Sequence, residues 1–140
     1  ITSVQLLDTN HTPLSWVVGG ENVVLDIHCH SKKSLNNPIV GFQFKDRLGQ
    51  IIFSDNTYLA YQGKNTTVTA ATSFSTQFYF RLPILPTGDY SISAAIAEGT
   101  QEQHIQHHWI HDALIVRAHA SSVCLGLIGL EMKKIVLKNI

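Results

Sequence analysis

The chain has 140 residues, ten Lys and Arg against ten Asp and Glu, a formal net charge of zero, and 44% hydrophobic but only 14% charged residues, below the roughly 25% charged of an average globular protein. That balance excludes an intrinsically disordered chain, which combines low hydrophobicity with high net charge, and it lacks the basic excess of a nucleic-acid binder. No apolar run approaches the roughly 20 residues of a membrane-spanning helix, so one compact domain over residues 1–140 is expected; its 22 Ser and Thr either present a neutral polar surface suited to a ligand such as a glycan or simply fill the strands and turns of an all-β protein.

The dominant period is two, the period of strands. Residues 2–8 form a first short run, closed by the turn Thr9-Asn10-His11-Thr12-Pro13. Gly19-Gly20-Glu21 opens a strand in which Val23, Leu25, Ile27 and Cys29 point one way and Val24, Asp26, His28 and His30 the other. A polar loop over residues 31–38 leads to a strand with Val40, Phe42 and Phe44 on one face and Gly41, Gln43 and Lys45 on the other. Asp46-Arg47-Leu48-Gly49 reads as a tight hairpin turn with Gly49 at the positive-φ position, and residues 51–53 return before a turn at 54–57. A further strand is expected over residues 65–71.

From Phe74 to Leu82 the alternation is clean, with Phe74, Phe78, Phe80 and Leu82 inward and Ser75, Gln77, Tyr79 and Arg81 outward. Tyr90, Ile92, Ala94 and Ile96 alternate with Ser91, Ser93, Ala95 and Ala97. Residues 104–118 read as a long strand or a broken pair, and residues 123–130 and 134–137 as closing strands. About nine short strands with turn signals between them, and no long helical period, predict an antiparallel β-sandwich. Gly88-Asp89-Tyr90-Ser91-Ile92 fits the start of a sandwich strand whose Tyr buries its ring and bonds its hydroxyl to nearby backbone.

Cys29 and Cys124 are too few for a disulfide scaffold and, in apolar stretches, read as buried free thiols. The first residues carry no basic segment followed by a long apolar one, so no signal peptide is expected. The missing initiator Met predicts a piece cut from a longer protein. Without a secretion signal a reducing, cytoplasmic setting is expected, in which the glycosylation sequons at Asn10 and Asn65 are chance matches.

His104, His107, His108 and His111 would share one face of a helix and could there hold zinc or copper. Ile110, Leu114 and Val116 continue with period two and Ile115-Val116 favours extended backbone, so a strand is expected, the histidines split between its faces, and no metal site is predicted. His28 and His30 share a face without a third ligand. Neither the Gly-x-Ser-x-Gly elbow nor the phosphate-binding loop occurs, and most acids fall at turns, where Asp satisfies backbone amides. No enzyme activity and no cofactor are expected.

A binding face is the stronger expectation. If the strands around residues 39–46, 90–98 and 106–116 are neighbours, Gly41, Gln43 and Lys45, then Ser91, Ser93, Ala95 and Ala97, then His107, Trp109, His111 and Ile115 form one surface. Small side chains would lie between amide and aromatic walls, with Trp109 as a platform for the C–H face of a sugar. Alternatively Trp109 packs under a loop or against a dimer partner. Gln77, Tyr79 and Arg81 form a second polar face that competes for the role.

The block Gly41-Phe42-Gln43-Phe44-Lys45-Asp46-Arg47-Leu48-Gly49-Gln50 with Asn56-Thr57, supported by Gly20-Glu21, by Leu85-Pro86-Thr87-Gly88-Asp89-Tyr90 and by Trp109-Ile110-His111-Asp112-Ala113-Leu114, resembles the C-terminal carbohydrate-binding domain of the ATPase subunit (Wzt-type) of bacterial O-antigen ABC exporters. The likeness runs over residues 4–129. It implies an immunoglobulin-like β-sandwich, following a separate ATP-binding domain, that binds the O-antigen polysaccharide at its non-reducing terminus and couples this to export across the inner membrane. It also implies a homodimer, a membrane-embedded permease as partner, and a place on the cytoplasmic face of the inner membrane. The C-terminal strands of such domains can pair across the dimer, the alternative being an ordinary terminal strand in its own sheet. The carbohydrate-binding residues expected are Gln43, Lys45, Ser91, Ser93, Trp109 and His111, with Gln77, Tyr79 and Arg81 on the competing face; the His-rich stretch departs from the family pattern and is where glycan specificity would be written. A dimerisation module that binds nothing, and an adhesin- or pilin-like periplasmic sandwich, are the rival readings.

Overall fold

The computed structural model describes residues 1–120 and 124–139. In chain order the elements are β1 (Ser3–Leu7), β2 (Trp16–Val17), β3 (Asn22–Ser31), β4 (Leu35–Asn36), β5 (Pro38–Lys45), β6 (Ile51–Asn56), α1 (Tyr58–Tyr61), β7 (Thr67–Val68), β8 (Thr72–Arg81), β9 (Gly88–Gly99) and β10 (His104–Ala118). They form an antiparallel β-sandwich of two main sheets, three strands in the order β1-β3-β8 and five in the order β2-β10-β9-β5-β6, with β4 and β7 paired apart. The two-residue β2 joins the end of β10 in parallel.

Period two in the sequence becomes in-and-out alternation in space. In β5, Val40, Phe42 and Phe44 are buried while Gly41, Gln43 and Lys45 are only partly so. The same holds along β8, where Phe74, Phe78 and Phe80 turn inward. The two sheets meet through aromatic rings: Phe42 of one contacts Phe78 and Phe80 of the other at centroid distances of 4.9 and 5.9 Å. Phe44, fully buried, stacks on Phe53 at 4.7 Å and on Tyr90 at 5.4 Å. Tyr90 is buried and its hydroxyl donates to the Pro86 carbonyl at 2.9 Å, the corner that its sequence context predicts.

The β5–β6 hairpin fixes the register of the larger sheet. Asp46 Oδ1 accepts from the backbone N–H groups of Leu48 and Gln50, each at 2.9 Å, and Gly49 takes the left-handed conformation with φ of 81° that a residue with a Cβ adopts only at a cost.

Several expectations are corrected. β6 runs on to Asn56 through residues expected to turn, because Ser54 and Asn56 pair with Gln43 and Gly41. The loop at 31–38 contains β4, and the strand expected over 65–71 shrinks to β7, followed by a turn into β8 with Ala71 at a φ of 57°. Residues 58–61 form a helical turn that alternation did not reveal. The closing strands expected at 123–130 and 134–137 are not formed: Val123 lies outside the described residues, and residues 124–139 carry only a single bridge between Gly129 and Ile84. That segment has few inward positions to fill, and Leu125 and Leu137 are 95% and 93% exposed. Cys29 is buried as expected, but Cys124 is only partly covered; both are free thiols.

Candidate functional site

The outer face of the five-stranded sheet carries a groove of about 440 Å³. Its geometry follows from register. Asn56 pairs with Gly41, Gly41 with Ala95, and Ala95 with Trp109, so one row across four strands reads amide, no side chain, methyl, indole. Gly41, Ala95 and Ala97 make a low floor. Asn56 and Leu59 rise on one side, and Trp109 with Gln106 on the other. A neighbouring row places Ser54, Gln43 and Ser93 together, which supplies the exposed Ser54 hydroxyl and an amide at one end. Trp109 is 41% exposed and stands in the wall rather than under a loop.

Two irregularities in β10 shape the site. The pairing with β9 shifts between Gln106 and His108 and again between Ile110 and Leu114. Such bulges re-aim side chains. At the first, His107 is the extra residue, so His104 and Gln106 before it and Trp109 after it line the groove, a phase that strict alternation does not give. Gln106 Nε2 donates to the carbonyls of Ile96 and His108, at 3.2 and 3.1 Å, which holds its side chain across the shift. His107 instead meets Glu98 Oε1 at 3.3 Å. At the second, Asp112 has a φ of 50° and its N–H donates to Ser93 Oγ at 3.1 Å.

Asp112 closes that end of the site. Its Oδ1 accepts from Ser91 Oγ at 2.8 Å and lies 3.2 Å from Lys45 Nζ. Of the predicted residues, Gln43 and Trp109 therefore line the groove openly, whereas Ser93 lies in its floor only 1% exposed, its Oγ taken by the Asp112 N–H. Lys45 and Ser91 are cross-strand neighbours held at its margin by Asp112, and the His111 ring lies 5.6 Å from that of Trp109. Gln77, Tyr79 and Arg81 lie on the other sheet, facing away from the groove. There Tyr79 donates to Gln77 Oε1 at 2.9 Å, and Arg81 donates to the Gly20 carbonyl and pairs with Glu131. Asn56, Leu59, His104 and Gln106 are lining residues that the alternation argument missed. Counting back from the hairpin at Gly49 would set Asp55, not Asn56, beside Gly41, because the β5–β6 pairing shifts by one residue between Phe44 and Lys45; nothing in the sequence marks that shift or the bulge that aims Gln106.

The hydrogen bond from Ser91 and the nearby Lys45 ammonium hold the Asp112 carboxyl below its ordinary value. The backbone N–H of Asn36, with His107, does the same for Glu98. A carboxyl depressed in the folded state adds stability that is fully present above its unfolded pKa and is lost as pH falls through the folded one. Melting temperature is therefore expected to hold above the ordinary values of 4.5 for Glu and 3.8 for Asp and to decline below them. Thermal melts of Asp112→Asn across that range will show a shallower decline; an unchanged slope would remove Asp112 from the account.

The histidines flagged in the sequence are dispersed. His28 pairs with Asp26 and His30 with Ser73, each at 3.0 Å, and His108 Nδ1 lies 3.0 Å from the backbone nitrogen of Ile1. Among the described residues no group of three or more His, Cys, Asp or Glu is arranged to hold a metal, and no helix is long and apolar enough to cross a membrane.

The fold and groove define an immunoglobulin-like β-sandwich domain with an open, largely uncharged cleft on one sheet. The family model of the Wzt C-terminal domain matches residues 1–130, and the chain belongs to that family. Its fold is similar to the crystal structure of the C-terminal domain of Wzt, with a TM-score of 0.81 at 19% identity over 96% of this chain and 81% of that one. No curated protein matches the chain in sequence. The family is associated with the ATPase subunits of O-antigen ABC transporters, within which this domain is separate and non-catalytic.

Proposed function

We propose that this domain binds the O-antigen polysaccharide, at its non-reducing terminus, and couples that recognition to export across the inner membrane. The observation that carries the reading is the row from Asn56 over Gly41 and Ala95 to Trp109. A cleft with one aromatic wall, a floor too small to obstruct a ring, and a few convergent polar groups is the form that ligand sites take. A sugar would lay its C–H face on the indole and meet Gln43, Ser54 and Asn56 with its hydroxyls. The parent subunit would bring the ATPase domain and contact the membrane-embedded permease at the cytoplasmic face. Capture of purified O-polysaccharide on immobilised chain tests this: the wild type retains it, and Ala95→Leu, which fills the floor opposite Trp109, does not. Equal retention by both would remove the groove from the reading.

A second reading, a dimerisation module, is favoured by the tail. Residues 124–139 leave Leu125, Leu127, Leu130, Ile135 and Leu137 exposed, and exposed apolar segments of this kind mark interaction surfaces. The two readings are compatible in a homodimer whose tails pair across protomers. Sedimentation is expected to show a dimer for the full chain and a monomer for a chain ending at Ala120; a monomer in both cases would leave the tail without this role.

A further inference from the structure

A second, smaller hollow of about 170 Å³ lies beside the groove. The two share Ile39 in their lining, and α1 stands between them as a ridge. Tyr58 and Tyr61, three residues apart and so on one side of a helical turn, line the small hollow, while Leu59 lines the groove. The ridge is anchored from the groove side, where Asn56 Oδ1 accepts from the Tyr58 N–H at 2.9 Å.

The far wall is held equally well. Asn37, at a φ of 52°, donates its N–H to the Thr66 carbonyl at 2.7 Å and accepts from the Gly99 N–H at 3.4 Å. Its Oδ1 accepts from the Thr66 N–H at 3.2 Å. The hollow thus presents a tyrosine face, half exposed at Tyr61, with the amides of Gln62 and Asn65 beside it and no carboxylate among its lining residues. Lys64 Nζ sits 5.4 Å from the Tyr61 ring centre, so the one cation is partly engaged by the aromatic face.

We infer that this hollow is a further sugar subsite, taking the neutral, hydroxyl-rich unit that follows the one seated on Trp109, so that the domain reads two consecutive residues of the polymer across the α1 ridge. The inference rests on the glycan reading of the groove. The chemistry is the same as in the groove, an aromatic face with amides, and continuity through Ile39 gives a chain leaving the groove a path into the hollow.

NMR chemical-shift titration of the chain with O-polysaccharide fragments of one and two sugar residues tests it, since this readout covers millimolar as well as micromolar binding. The wild type is expected to bind the two-residue fragment about tenfold more tightly than the one-residue fragment. Tyr61→Ala and Gln62→Ala will each lose that gain and keep one-residue affinity, whereas Trp109→Ala will weaken both. A gain that is absent in the wild type, or that survives in both Tyr61→Ala and Gln62→Ala, overturns the second subsite and leaves the groove reading intact. If neither fragment nor the whole polymer binds the wild type, the glycan reading falls first and the subsite with it.

Discussion

Replacing Phe44 by alanine will lower the unfolding free energy by about 3–5 kcal/mol, the range for truncating a buried aromatic. The ring is fully buried and packs between Phe53 and Tyr90, with interplanar angles of 11° and 29°. Its loss opens a cavity that those flanking rings cannot close without leaving their own partners, Phe42 and Phe80 among them. Phe44 also pairs across the sheet with Phe53 and with Ile92, so the damage reaches the strands that carry the groove. A total stability of roughly 5–15 kcal/mol makes this substitution capable of unfolding the domain. Urea denaturation checks it: a midpoint shift below that expected for 1 kcal/mol would show that this aromatic stack does not hold together the inner face of the five-stranded sheet.

Trp109→Ala will weaken polysaccharide binding by about 2 kcal/mol or more, some thirtyfold, as expected for truncating an aromatic anchor in a binding site. Stability will change by no more than about 0.5 kcal/mol, because surface positions away from packed features tolerate substitution. This separation of effects is the point of the experiment. Trp109 is held by backbone pairing with Ala95 and its side chain stands in the groove wall, so its removal deletes a contact surface without opening the core. A variant that melts like the wild type and binds like the wild type would show that the indole is not part of the site. Gln43→Ala, on the same floor row as Ser54 and Ser93, is expected to act in the same direction.

Alternation made most of the sandwich legible. Where a strand has one face on the core, period two assigns each residue to its side, as it did for Gln43 against Phe42 and Phe44, and for Tyr79 against Phe78 and Phe80. The adjacency of β5, β9 and β10, on which the expected binding face depends, is present in the sheet order. What alternation could not reveal is local phase. One extra residue at His107 resets β10 and brings Gln106 to the groove, and the wider irregularity around Asp112 closes its other end. Both are properties of pairing between two strands rather than of either strand alone. The helical turn at Tyr58–Tyr61 is too short to show a period, which concealed the ridge beside the groove. The tail misled for a different reason. Apolar residues such as Leu125 and Leu137 have the composition of strand formers, but the described sheets offer them no inward place and they stand exposed.

On the proposed reading, this domain holds a glycan on the outer face of its five-stranded sheet. Calorimetric titration of the chain with purified O-polysaccharide tests it most directly. Heat that saturates is expected, and is lost in Trp109→Ala with an unchanged melting temperature. A flat titration with the folded wild-type chain, at concentrations that populate its dimer, would contradict the claim and leave the domain as a dimerisation module alone.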